Sequence, residues 1–291
     1  MALPAPAFIA PELLPTALVA LPLALLGACI GSFLNVVAWR LPRQESVVWP
    51  GSHCPRCGTD LAWFENLPVL SWLLLRGRCR HCHQPIAARY PLVELLCSGL
   101  WVTMLVARPQ AMGAMPPSTA LEAWLLLVAG GLLASWLLPL VLIDLDSMWL
   151  PEPLCRWGVV LGLAVTAVLG ALQGEAAARA LLLSHLIACG AGLLGFELLS
   201  ALAEKAFGRP ALGLGDAKLA ALMGAWLGPL GLALAVGVAI FSGALVGVAG
   251  RISGRLGPHQ PFPFGPFLAI GTLAVWIGGH GPWLQLAGLG S

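Results

Sequence analysis

The sequence predicts an all-α polytopic membrane protein of about eight transmembrane helices with a small cytoplasmic insert. Composition is the first reason. Of 291 residues, 59% are hydrophobic and only 10% are charged, whereas a soluble domain carries about 25% charged residues. The second reason is the length of the apolar runs, since a span needs roughly 20 residues. Such runs fall at 13–38, 92–107, 121–143, 155–172, 180–203, 217–228, 230–250 and 265–284. The third reason is the placement of Lys and Arg, which collect in cytoplasmic loops. With the N-terminus exported, 13 of the 15 basic residues fall in inner loops, and only Arg108 and Arg179 lie outside. Eight crossings then leave both termini outside.

The elements follow in order. Residues 1–39 hold the first span and contain no Lys or Arg. The positive region of a cleavable signal peptide is therefore missing, and an uncleaved anchor is expected. Gly27 and Gly31 are four apart and allow close helix approach. Asn35, near the inner end, suits either an interhelical hydrogen bond or a substrate groove.

Residues 40–91 form the one sizeable polar insert. It carries Cys54-Pro55-Arg56-Cys57 and, 21 residues on, Cys79-Arg80-His81-Cys82. Two CxxC knuckles at nearly this spacing are a metal signature. Thiolates at i and i+3 of a tight turn converge on one tetrahedral zinc, and a four-sulfur site is closed and structural. A cytoplasmic loop disfavours disulfides. His53, His81 and His83 are alternative ligands or plain surface residues. Between the knuckles, Trp63-Phe64-Glu65-Asn66-Leu67-Pro68-Val69-Leu70-Ser71-Trp72 suits a membrane-surface segment or the core of the zinc module. Basic residues facing an anionic lipid leaflet explain the insert's charge without nucleic acid as a partner.

Residues 92–291 hold the remaining spans. Glu94 begins the second and is expected to pair with Arg89, to snorkel, or to serve function. The third ends in Ile143-Asp144-Leu145-Asp146. Two residues apart on a helix is about 200°, so only one of these acids faces a given partner. Asp144 is deeper, directly after the apolar run, and is the candidate; Asp146 is left to solvent or a loop. On the fifth span, His185 is expected to be neutral and bonded to a neighbouring helix, and Glu197 to pair with Lys205 or Arg209. Cys29, Cys97, Cys155 and Cys189 read as small core residues. Gly213-Leu214-Gly215-Asp216-Ala217-Lys218 then places a second carboxylate between glycines, 72 positions after Asp144. Asp is a favoured helix N-cap, which is the plain explanation. The glycines also permit close approach by an extended substrate. Pro261-Phe262-Pro263-Phe264-Gly265-Pro266-Phe267 forms either a rigid re-entrant turn near the site or a simple loop.

Asp144 and Asp216 both lie at inner ends of spans. Two apposed carboxyl groups hold one proton between them and titrate as a unit. The ionised partner takes a proton from water and the protonated partner donates to a carbonyl oxygen, which is amide hydrolysis. No Ser/His/Asp set or HExxH motif offers another route.

These motifs, in this order, resemble the type IV prepilin peptidases of the GxGD class of intramembrane aspartyl proteases. The resemblance also takes in Gly31-Ser32-Phe33-Leu34-Asn35-Val36-Val37, Arg89-Tyr90-Pro91-Leu92-Val93-Glu94 and Pro263-Phe264-Gly265-Pro266-Phe267. It implies a multi-pass enzyme of the bacterial inner membrane with its site at the cytoplasmic face. It implies cleavage of the basic leader from type IV prepilins and pseudopilins, the subunits of type IV pili and type II secretion. Methylation of the new N-terminus by S-adenosylmethionine is implied to follow. Asp144 and Asp216 match the catalytic aspartates, and Cys54, Cys57, Cys79 and Cys82 the zinc insert. The chain departs from the family pattern at Glu152, Pro210 and Leu212, and shows no glycine-rich nucleotide fingerprint. The alternative from another class is a zinc-dependent transporter or assembly scaffold using the acids for protons or ions. Such a path places ionisable groups near the bilayer midplane, whereas both acids here sit at one interface.

Overall fold

The computed structural model describes residues 10–107, 119–208, 213–255, 257, 260, 262–286 and 288. Arg108, Arg209, Pro210, Leu212 and Pro261, all used above, lie outside the described residues. The helices are α1 (Ala10–Arg40), α2 (Leu70–Leu74), α3 (Arg89–Ala107), α4 (Ala120–Ser147), α5 (Glu152–Leu172), α6 (Glu175–Phe207), α7 (Leu214–Ile252), α8 (Gly265–Gly278) and α9 (Gly281–Leu286). The insert between α1 and α3 is mostly irregular, with two isolated β-bridges. Six helices are long and apolar enough to cross a membrane, and Gly265–Gly278 is a shorter apolar one. The architecture is therefore all-helical and polytopic, as composition requires.

One of the expected spans differs from the sequence reading. The run at 265–284 is not one helix, because Gly279 (φ 66°, ψ −167°) interrupts it between α8 and α9. The runs 217–228 and 230–250 are two helical halves of α7, divided where the sequence divides them, at Gly228 (φ 68°, ψ −175°) ahead of Pro229. That conformation is accessible to glycine and costly for other residues. The two halves run in opposite directions along α8. In the first half, Asp216 lies within electrostatic reach of Asp144, which bonds the first residue of α8, and Trp226 stacks edge-on against Trp276 near the end of α8. In the second half, Gly231 lies beside His280, Gly271 packs on Ala235, and Gly243 meets Phe264. The chain doubles back at Gly228.

The first half of α7 is the centre of the molecule. Residues 219–227 are almost wholly buried. Small residues let neighbouring helices reach its backbone, as they do wherever packing and not the hydrophobic effect drives association. A side chain at Gly192 of α6 would strike the Ala220 carbonyl, and one at Gly224 would strike that of Ala188. On α5, Gly162 lies against the Trp226 indole, whose N–H donates to the Gly158 carbonyl at 3.0 Å.

The reversal leaves a buried carbonyl without its helical partner. Ala225 would bond to the amide of residue 229, but Pro229 has none. His185 of α6 donates from Nδ1 to Ala225 O at 3.0 Å, and the Thr166 hydroxyl of α5 lies 3.4 Å from the same oxygen. His185 is thus bonded to a neighbouring helix, as its sequence position suggests. Replacing His185 with Leu removes the nearer of the two donors and leaves the acceptor to Thr166 alone, and about 1 kcal/mol of stability is expected to be lost. Thermal unfolding of the purified variant in detergent checks this; an unchanged Tm contradicts it.

Candidate active site

Asp144 lies in the last turn of α4 and is 5% exposed. Its Oδ2 accepts the Gly265 N–H at 2.9 Å, from the first residue of α8. That amide belongs to the orphan donors of a helix start, so a carboxylate suits it in both hydrogen bonding and charge. Asp216 is half-buried in the first turn of α7. It is not the N-cap, as the sequence suggested. Gly213 holds that place, and Asp216, three residues on, reaches back to accept the Gly213 N–H at 3.0 Å. Both acids therefore sit at helix N-termini, one from its own helix and one from another.

Leu150 brings the two motifs together. It follows α4 in the chain, is buried, and packs on Gly215, where a Cβ would stand 2.9 Å from its own. With the loop after α4 resting on the first turn of α7, Asp144 and Asp216 come within electrostatic reach of one another. Asp146, by contrast, is exposed and forms an ion pair with Arg89 of α3 at 2.7 Å, which its two-residue offset requires.

The four insert cysteines converge. One sulfur from each of Cys54, Cys57, Cys79 and Cys82 lies within 4.8 Å of the others. The knuckles repeat one turn: Cys54 N bonds Thr59 O and Gly58 N bonds Cys54 O, while Cys79 N bonds Gln84 O and His83 N bonds Cys79 O. Gly58 and His83 take the same left-handed place, at φ 70° and 57°. The Thr59 hydroxyl and amide pull the Cys57 thiol down to about 6. Amides of Cys82 and His81 lower Cys79. The cluster can hold a metal ion, with none of the neighbouring histidines in the set.

Comparison with known proteins gives concordant matches. Residues 25–108 match the profile of the bacterial peptidase A24 N-terminal domain, and residues 131–248 that of the type IV leader peptidase family. A prepilin leader peptidase/N-methyltransferase of Myxococcus xanthus (strain DK1622) is 36% identical, over 92% of this chain and 88% of its own. One from Burkholderia pseudomallei (strain 1026b) is 37% identical, over 90% and 86%. A type 4 prepilin-like proteins leader peptide-processing enzyme of Escherichia coli O78:H11 is 34% identical, over 86% and 90%. The chain belongs to the type IV leader peptidase family. No solved structure matches it.

Within this family member, several residues near the site have roles that sequence reasoning assigned differently or missed. Glu94 does not pair with Arg89. It is buried, and its Oε2 accepts the Val69 N–H at 2.7 Å. Val69 has φ 62° and ψ −50°, and Leu70 N bonds Pro68 O at 2.6 Å. This is a γ-turn, strained for a β-branched residue. Glu94 thereby clasps the insert to the first turns of α3. Asn35 makes the interhelical bond, donating to Tyr90 O at 3.3 Å. Arg40, counted above only as an inner-loop charge, is buried and donates to the carbonyls of Ser46, Pro50 and Gly51. Cys155 is buried within electrostatic reach of Lys218 and Asp216. No local signal pointed to Arg40 or Cys155, since each depends on residues distant along the chain or on a loop's carbonyls. Truncating Glu94 to Ala is expected to free the Val69 turn, and amide exchange across residues 69–74 should accelerate at least tenfold relative to α4. Unchanged protection there contradicts the clasp.

Proposed function

We infer that this protein cleaves the leader peptide from type IV prepilins and then methylates the new N-terminus. Membership of the family and the printed activities of its relatives support this. The observation that supports the catalytic assignment is that Asp144 accepts from the first amide of α8 while Asp216 lies within electrostatic reach of it.

In this reading the pair holds one proton. The ionised acid takes a proton from water, and the hydroxide adds to the scissile carbonyl carbon. The protonated acid gives its proton to the carbonyl oxygen. Collapse of the tetrahedral species breaks the C–N bond, and a proton returns to the departing amine. The freed amine would then take its methyl group from S-adenosylmethionine, a C–N bond replacing the S–CH3 bond, with S-adenosylhomocysteine and a proton released. Substrates include pseudopilins, which share the leader chemistry the resemblance implies.

Placement in the inner membrane is what membership of the family supports, and the orientation follows from the Lys and Arg of the inner loops. The protein makes eight crossings, with α7 counted as two because it reverses at Gly228. Both termini are periplasmic, and the site and residues 40–91 face the cytoplasm. The Arg89–Asp146 pair supports a common face for insert and site, since it ties the insert end of α3 to the site end of α4. The first half of α7 and all of α8 each rise about 21 Å, less than the hydrocarbon core of roughly 30 Å. A site at the foot of both is set into the inner leaflet. That position also favours a protease over a carrier path through the midplane.

Zinc fits the insert. Sulfurs about 2.3 Å from a tetrahedral ion lie about 3.8 Å apart, and Cys54 Sγ and Cys82 Sγ are separated by 3.8 Å. Cys54, Cys57, Cys79 and Cys82 would hold the ion as a closed structural site that orders the two knuckles. In organisation, the region 1–39 holds the first helix, 40–91 is the zinc insert, and 92–291 holds the helices bearing the site.

Purified protein incubated with a prepilin tests the catalytic reading. Asp144→Asn and Asp216→Asn are each expected to lower cleavage by at least ~1,000-fold, while still inserting in the membrane. Near-normal processing by either removes that acid from the chemistry. Separately, metal analysis is expected to find about one zinc per chain, lost on changing Cys54 and Cys79 to Ser. Active protein free of metal overturns the zinc assignment.

A further inference from the structure

The segment Phe262-Pro263-Phe264-Gly265-Pro266-Phe267 has no assigned role, yet it touches Asp144. Gly265 begins α8 and is buried. Its amide donates to Asp144 Oδ2 across 121 positions of sequence. A Cβ on Gly265 would stand 2.7 Å from that same oxygen and 3.2 Å from Asp144 Cγ. No real side chain tolerates the first distance, so the carboxylate would have to turn. Among the described residues, the hydrogen bond to the Asp144 carboxylate is made at Oδ2.

The turn that presents Gly265 is itself held. Phe264 and Phe267 pack with centroids 6.3 Å apart, and Phe262 meets Phe267 edge-on at 5.8 Å. These rings sit over Gly243 and Gly247 on the second half of α7. The donor therefore arrives from a wedge of aromatic rings seated on the returning arm of the α7 hairpin. Asp216 leads the other arm. One hairpin thus carries one acid directly and positions the other through α8.

We propose that Gly265 is a positioning residue for peptide cleavage. Its amide fixes Asp144 Oδ2, and the space left by its missing side chain lets that carboxylate turn Oδ1 toward Asp216 and the scissile bond. Asp216 is held the same way, with Oδ2 on the Gly213 amide. Each acid is then tied by one oxygen and reacts through the other. The proposal rests on the two-aspartate reading of the site, but the contact it invokes is measurable apart from catalysis.

The test is a double-mutant cycle on the full-length protein in detergent, with Gly265→Ala, Asp144→Ala and the pair. Gly265→Ala is expected to reduce kcat for prepilin cleavage by ~100-fold, the usual consequence of an ångström-scale displacement of a reacting group. KM should stay within about twofold, and methylation of an already cleaved pilin should be retained. Gly265→Ala is also expected to lower Tm in the wild-type background and not in the Asp144→Ala background, where the collision has no partner. If Gly265→Ala accumulates only when Asp144 is also Ala, the collision is equally supported. An equal loss of Tm in both backgrounds overturns the proposal, as does normal kcat in Gly265→Ala. So does failure of Gly265→Ala to accumulate in either background when Asp144→Ala alone folds. Normal cleavage by Asp144→Ala would instead sink the two-aspartate reading, while the Tm cycle still reported on the contact.

Discussion

The structure depends on the burial of the first half of α7. That segment carries Asp216 at its foot and is enclosed by α5, α6 and α8. In a bilayer, lipid tails are as apolar as leucine, so close packing has to hold such a helix in place. Glycines at 192 and 224 bring α6 and α7 to backbone contact. The same close approach at Gly215 seats Leu150, and through it the end of α4. The position of one carboxylate relative to the other is therefore set by backbones, with little freedom left to flexible side chains.

The reversal at Gly228 and Pro229 makes this arrangement possible and creates its main polar cost. A proline stop frees the carbonyls of the preceding turn in a region without water. His185 and Thr166, from two other helices, approach the Ala225 carbonyl. A histidine within the spans is thus accounted for by backbone satisfaction. The returning arm of the hairpin then supports the aromatic turn before α8, whose first amide meets Asp144.

Much of this was legible in the sequence because it depends on local chemistry. Hydrophobic run lengths located the helices, and the boundary between the runs 217–228 and 230–250 coincides with the break in α7. Periodicity separated Asp144 from Asp146, and the CxxC spacing located the thiol cluster. Other features depended on partners far along the chain. The sequence offered Glu94 as a partner of Arg89, and only the fold sends that side chain to Asp146 instead. Nothing local marks Val69 as a residue at positive φ, because β-branched residues avoid that region. N-capping was the plain alternative for Asp216, and the fold places it three residues after the cap, Gly213, with its carboxylate reaching back to that residue's amide. The run ending at residue 284 hid a break, because Gly279 sits in a stretch as apolar as a helix.

The central claim is that Asp144 and Asp216 form one titrating unit at the foot of α7 and α8. Infrared titration of the carboxyl stretch, on protein in lipid nanodiscs, measures this directly. One proton shared between the two acids predicts that Asp216→Asn changes the titration of Asp144, and that Asp144→Asn changes that of Asp216. Two acids that titrate separately, each unaffected by loss of the other, would contradict it.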